Sequence, residues 1–345
     1  MSIAPDEDLL VTDVYAAYPH SNGFAPDGRL VVGDAWRPAL HLVDLASGAS
    51  SELIDLGHLV DDEILWFDVA LRAPLLVTAR AGHLLLVTLD RGESRVLHRS
   101  TADASLDHLV AITPDGTLVA AIEHRPHDHR LLLIDTSAGR VTEQLRVPWL
   151  ANHVQFSPAD PDWIGFSHEG PADRIADRVH AFHPRLAREG GDLTDQRALS
   201  AVPAHALQLG HERWMFHRPG AIAVAYGDGP DPRGLWELPV DRPARLISAG
   251  PRDWHCNISR DGSRAVVDTT GRATLPGHGW SQAEEESSIV VIDIATGERT
   301  IVAHTRFQAH PFHPHPAFTP DGTRIVHNHI TADGRRGIAL REVPR

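Results

Sequence analysis

Ile112-Thr113-Pro114-Asp115-Gly116 runs directly into the apolar stretch Leu118-Val119-Ala120-Ala121, and the phrase recurs along the chain. Its other copies are Phe24-Ala25-Pro26-Asp27-Gly28, Phe156-Ser157-Pro158-Ala159-Asp160, Ile258-Ser259-Arg260-Asp261-Gly262 and Phe318-Thr319-Pro320-Asp321-Gly322. Proline presets the dihedral of the second turn position, aspartate bonds back to nearby backbone, and glycine takes the left-handed conformation that closes the turn. A second phrase follows in several repeats: His41-Leu42-Val43-Asp44-Leu45-Ala46-Ser47-Gly48, Leu132-Leu133-Ile134-Asp135-Thr136 and Val290-Val291-Ile292-Asp293-Ile294-Ala295-Thr296-Gly297. Each reads as a strand entering a hairpin turn.

With degenerate copies near Ala73 and Gly220, the turn phrase repeats about every 43 to 46 residues, and about every 60 where insertions intervene. A period of this length with four strands per unit is the mark of a propeller, because each unit buries its faces only against its neighbours. Seven units fit the 345 residues. The expected fold is all-β, a seven-bladed β-propeller of four-stranded antiparallel blades in a single domain over 1–345, with insertions at about 171–206 and 269–288. The last repeat holds only two or three strands before Arg345, whereas Leu9-Leu10-Val11-Thr12-Asp13-Val14 is strand-like and lacks a partner. An N-terminal strand closing the last blade is therefore predicted, which removes an open sheet edge. Long insertions tend to lie on one face and shape a site. In the second insertion Gly277-His278-Gly279-Trp280 is the candidate contact segment, and the acidic trio Glu284-Glu285-Glu286 reads as solvent-facing loop.

Composition narrows the function. There are 32 basic and 46 acidic residues, a formal charge of −14. A surface of that sign repels phosphate backbones, which excludes nucleic acid as the expected partner. No apolar run approaches the roughly 18 residues of a membrane span and the N-terminus is acidic, so neither a membrane segment nor a secretory signal is expected. Cys256 is the only cysteine, which excludes an internal disulfide and a thiolate metal site. The expected location is the cytoplasm. All the basic residues are arginine, so Schiff-base chemistry is ruled out.

The outlying count is 24 histidines. The densest group is His310-Pro311-Phe312-His313-Pro314-His315-Pro316. Each proline disfavours the helical region for the residue before it, so the segment is expected to be extended, with His313 and His315 on one face. His310 can join them through a bend at Pro311. Neutral imidazoles without cysteine suit Mn²⁺, Fe²⁺, Ni²⁺, Cu²⁺, Co²⁺ or Zn²⁺ rather than Mg²⁺ or Ca²⁺. Three further phrases carry histidine: Phe166-Ser167-His168-Glu169-Gly170-Pro171 with Arg178 downstream, Gly210-His211-Glu212-Arg213-Trp214, and Trp254-His255-Cys256-Asn257. His211, His255 and the 310–315 group each lie just ahead of a turn phrase, positions that converge on the central channel of a propeller.

In order and spacing these phrases resemble the oligogalacturonate lyase family over nearly the whole chain. The resemblance implies a cytoplasmic seven-bladed propeller that cleaves short oligogalacturonates by β-elimination with a Mn²⁺-type ion. It implies His255, His313 and His315 as ligands, with a fourth three residues before His313. The family has glutamine there; this chain has His310, and Gln308 lies two residues out of register. It implies His211 as the catalytic base and Arg178 as the catalytic arginine. His168, Glu169 and Trp214 are candidates for substrate binding, and Trp254 and Trp280 for further sugar-stacking walls. The family's His-Glu-Phe-Trp reads His211-Glu212-Arg213-Trp214, its Gly-Asp-Gly reads Val267-Asp268-Thr269, and its Thr-Ser-Asp reads His327-Asn328-His329. The expected partner is a small oligouronide. Two alternatives stay open: a lyase or hydrolase for another uronide, and a non-catalytic propeller that binds protein partners. The oligomeric state is not legible in the sequence.

Overall fold

Seven antiparallel sheets of four strands follow one another along the chain. The structure is a computed structural model and describes residues 9–171, 174–175, 177–193, 208–226, 232–277 and 279–344. In the first insertion 172–173, 176 and 194–206 lie outside the described residues, as do His278 and the side chain of Trp280. Blade 4 is typical: Ala151–Phe156, Ile164–His168, Val179–His183 and Ala187–Asp192, each strand paired with the next. Blade 5 opens with Leu209–Trp214, blade 6 with Asp253–Ile258 and blade 7 with Ala317–Phe318. In blade 3 the first strand is broken into Ser105–Leu106 and Ala111–Ile112.

The ring closes as expected: Val11–Thr12 pairs antiparallel with the third strand of blade 7, Val11 opposite Ile338 and Thr12 opposite Gly337. Blade 7 therefore joins both ends of the chain and no blade is left with a missing strand. Gly28, Gly116, Gly262 and Gly322 close the turn phrases at φ between 70° and 91°, a region costly for residues with a Cβ. Among the described residues the single helical element is the 3₁₀ turn Trp280–Gln282, and no helix is long and apolar enough to cross a membrane.

Apolar side chains alternate inward and fill the space between neighbouring blades, as in the group Val31, Leu40, Phe67, Leu76 and Leu85 between blades 1 and 2. Trp214 does the same between blades 4 and 5. It is fully buried, and a Cβ on Gly165 would fall 1.8 Å from its indole nitrogen. That glycine makes room for the ring. Trp214→Ala is expected to cost about 3–5 kcal/mol, the usual penalty for emptying a large aromatic site. A fall in the calorimetric midpoint checks this; an unchanged midpoint contradicts it.

The second insertion is tied down rather than loose. Arg252, almost wholly buried, donates to the carbonyls of Thr270, Pro276 and Gln282 and to Glu284 Oε1 at 2.8 Å. Glu286 pairs with Arg272. Of the acidic trio expected to face solvent freely, two members are thus engaged in ion pairs, because the arginine-rich chain supplies a cation to each.

Candidate metal centre and active site

In three successive blades the first strand is bulged at the same place. Register shifts fall between Asn152 and Gln155, between Gly210 and Arg213, and between Asp253 and Cys256. A bulge inserts a residue and re-aims its side chain. Here the inserted residues include His153 (φ 55°), His211 (φ 50°) and His255. Blade 7 supplies His315, also left-handed at φ 44°. The expectation of an extended backbone through His315 is corrected on this point. Its N–H donates to Asp268 Oδ2 at 3.2 Å, which holds the unusual conformation against the preference imposed by Pro316.

Four imidazoles meet. His255, His310, His313 and His315 each offer a nitrogen, and these atoms all lie within 4.8 Å of one another. Gln308 and His310 are both exposed, and it is the His310 imidazole that lies with the other three. The His310–Pro311 peptide is cis, and the His310 and His313 ring centres lie 3.9 Å apart. Asn328 clamps the loop: its Nδ2 donates to the carbonyls of Pro311 at 3.0 Å and His313 at 2.7 Å, and its N–H to that of Pro314. Phe307 stacks on His313 at 4.7 Å.

Burial holds these rings neutral, the form that coordinates metal. It lowers His310 to about 4 and His313 to about 3, and pushes His255 and His315 well below the usual histidine range. His255 Nδ1 donates to the Asp268 carboxylate at 2.9 Å, leaving Nε2 buried with no hydrogen-bond partner. Both ring nitrogens of His315 are likewise buried and unpartnered. Such atoms cost free energy unless something accepts their lone pairs. A divalent ion fits this set of donors. Asp268 is buried and raised to about 7 by burial; it orients His255 as carboxylates behind ligating histidines do. Asp268→Asn is expected to weaken metal binding about 10- to 100-fold with the fold retained, read by calorimetric titration. Equal affinity in the variant would remove Asp268 from the site.

Beside the cluster, His211 lies 4.4 Å from His255, ring centre to ring centre, and stacks on Tyr226 at 4.7 Å. Its Nδ1–H donates to the Trp254 carbonyl at 2.5 Å. Nε2 therefore carries the lone pair. Burial, reinforced by His153 and Arg178, keeps the ring neutral. Arg178 is almost fully buried, with Nη2 donating to Glu169 Oε1 and Nη1 to the Gly170 carbonyl, both at 3.0 Å. Its Nε has no partner among the described residues, and its guanidinium lies 6.0 Å from the centre of the Tyr226 ring. Gly210 leaves space for this arrangement, since a Cβ there would meet Tyr226 at 2.6 Å and Arg178 at 3.2 Å.

The structure thus brings His211, Arg178 and Glu169 to the neighbourhood of the four-histidine group. Two other candidates it places elsewhere. Trp214 has no exposed face and is a core residue, which corrects the expectation of substrate binding. The His168 ring stacks on Trp149 at 4.3 Å and bonds to Asp177, turned away from its neighbour Glu169 by strand alternation. Trp254 packs edge-on against His211 and Tyr226 and is buried.

Four residues near the site escaped sequence reasoning. His153 lies 3.8 Å from Glu212 and 4.0 Å from Glu169. A signal for it existed: it stands four residues before Ser157, as His255 stands before Ser259 and His315 before Thr319. Backbone bonds of these three and of Met215 to the next strand confirm the equivalence, so four consecutive blades present histidine at one position. Tyr18, whose ring contacts His20, His153, His255, His310 and His315, and Tyr226 had no local signature. Asn328 sits where the family pattern is lost.

No family model matches the chain. Oligogalacturonate lyase of Dickeya dadantii (strain 3937) is 25% identical over 224 residues, 62% of this chain and 55% of that protein. Oligogalacturonide lyase of Pectobacterium atrosepticum matches to the same extent. The chain spans about half the length of the curated relatives it matches. An oligogalacturonate lyase solved in complex with manganese superposes with a TM-score of 0.79 at 20% identity, over 97% of this chain and 91% of that one. The oligogalacturonate lyase of Vibrio parahaemolyticus gives 0.78 at 16% identity, over 97% and 92%. Seven four-stranded blades closed by the N-terminal strand thus coincide with a sequence likeness over 62% of the chain, and in sequence and in fold this protein is similar to oligogalacturonate lyases.

Proposed function

We propose that the protein is a divalent-metal-dependent lyase that cleaves short oligouronides, oligogalacturonate first among them, by β-elimination. The observation that carries this reading is the placement of an acceptor-ready neutral histidine, His211, against a cluster of four convergent imidazoles. A uronate C5 proton is α to a carboxylate and only weakly acidic. His255, His310, His313 and His315 would hold the metal, Mn²⁺ being the proposed ion, and it supplies charge neutralisation at that carboxylate. His211 Nε2 removes the C5 proton, its ring aimed by the Trp254 carbonyl. Arg178, fixed by Glu169 and the Gly170 carbonyl, keeps Nε–H for the developing negative charge and cannot lose its own proton. Loss of the C4 oxygen leaves an unsaturated sugar, with water as the proton donor to the leaving group.

The test is a rise in ultraviolet absorbance on digalacturonate or trigalacturonate that requires added divalent metal. No double bond formed from any member of a panel of oligouronides would overturn the lyase reading. A second reading, a lyase for a different uronide, is favoured by His310 standing where the family pattern has glutamine. The same panel separates the two by which uronide yields the absorbing product.

A further inference from the structure

A second group of metal-binding side chains lies in blade 4, outside the proposed active site. His168 ends the second strand, His180 lies in the third, and Asp177 precedes that strand. One donor atom from each falls within 4.8 Å of the others. The Asp177 carboxylate is flanked on both sides, with His168 Nδ1 at 2.9 Å from Oδ1 and His180 Nε2 at 3.4 Å from Oδ2; His180 Nε2 also donates to the Asp177 carbonyl at 2.7 Å, a bond it would exchange for the ion. Trp149 packs against both imidazoles, at 4.3 Å from His168 and 4.7 Å from His180, and so fixes their planes. The histidines are mostly covered, whereas the aspartate is 43% exposed, so one side of the group opens to solvent.

We infer that His168, Asp177 and His180 form a second divalent transition-metal site, of the two-histidine, one-carboxylate type. Borderline nitrogen and oxygen donors with an open side suit Zn²⁺, with water completing the coordination. Mg²⁺ and Ca²⁺, which prefer all-oxygen sets, are disfavoured. The site has a structural consequence. His168 and Asp177 are the chain neighbours of Glu169 and Arg178, and the His168 N–H donates to the Arg178 carbonyl at 2.9 Å. An ion bridging the two strand ends ties together the backbone that presents the Glu169–Arg178 pair. The site stands on its own donors and does not depend on the lyase reading.

The experiment uses full-length protein purified without a histidine tag, stripped with chelator and titrated with Zn²⁺ by calorimetry, with elemental analysis after dialysis. The expected result is that His180→Ala and, separately, Asp177→Ala each bind about one equivalent fewer than the parent. His313→Ala loses the other class of site and retains this one. Asp177 is half exposed and its replacement leaves the core untouched, so that variant reports even if His180→Ala folds poorly. Stoichiometry equal to the parent in Asp177→Ala, or in a folded His180→Ala, overturns the site.

Discussion

On the proposed function, His211→Ala is expected to lower the turnover of digalacturonate by about 10²- to 10⁴-fold, the usual contribution of a positioned base, while leaving the metal content unchanged. The size follows from the commitment of neighbouring groups to other partners. Arginine stays protonated at any working pH and the chain has no lysine. Glu212, the adjacent carboxylate, is buried and accepts from Ser167 Oγ at 2.7 Å. His255 Nε2 is committed to the four-histidine group. The loss should appear in kcat with KM little changed, because His211 is placed to act on the reacting proton rather than to hold the sugar. Steady-state rates and metal analysis on one preparation check both halves. A variant that keeps parental turnover removes His211 from the mechanism, and one that loses metal makes it a ligand instead.

The second large effect is on the metal itself. His313→Ala is expected to abolish binding at the four-histidine site and all metal-dependent activity. Binding to the folded state alone stabilises it by about 2.7 kcal/mol when free metal exceeds Kd a hundredfold. Mn²⁺ should therefore raise the melting temperature of chelator-stripped parent protein, and the midpoint of His313→Ala should move less. The variant retains its fold in this expectation, since His313 sits in a loop held by Asn328 through main-chain carbonyls that the substitution leaves in place. Equal thermal shifts in the two proteins would place the stabilising ion elsewhere.

Much of this molecule is local in origin. A turn needs proline, aspartate and glycine within five residues, and a strand needs alternation over five or six, so the blade repeat and its count are written in short segments that do not depend on distant partners. The closing strand is legible for the same reason: Val11 and Thr12 are the right residues left over at one end for the edge missing at the other. The candidate residues His211, Arg178, Glu169, His255, His310, His313 and His315 come from phrases of a few residues whose order alone carries the family likeness.

What the sequence could not decide is which way side chains point once blades pack. His168 and Glu169 are adjacent in sequence, yet strand alternation sends one to Trp149 and Asp177 and the other to Arg178. Trp214 reads as a sugar platform and is a core residue, because Gly165 in the neighbouring blade leaves a slot for its ring. Asp268 stands behind His255 and His315 through contacts 13 and 47 residues long, and Tyr18 meets histidines from three other blades only when the ring is closed. The sequence by itself determined the number of blades, how they close and which histidines compete for a metal, since those rest on short-range turn chemistry and spacing. Only the tertiary structure decided where those histidines converge and what orients them, because bulges, left-handed residues and burial arise when seven separate sheets pack around one axis.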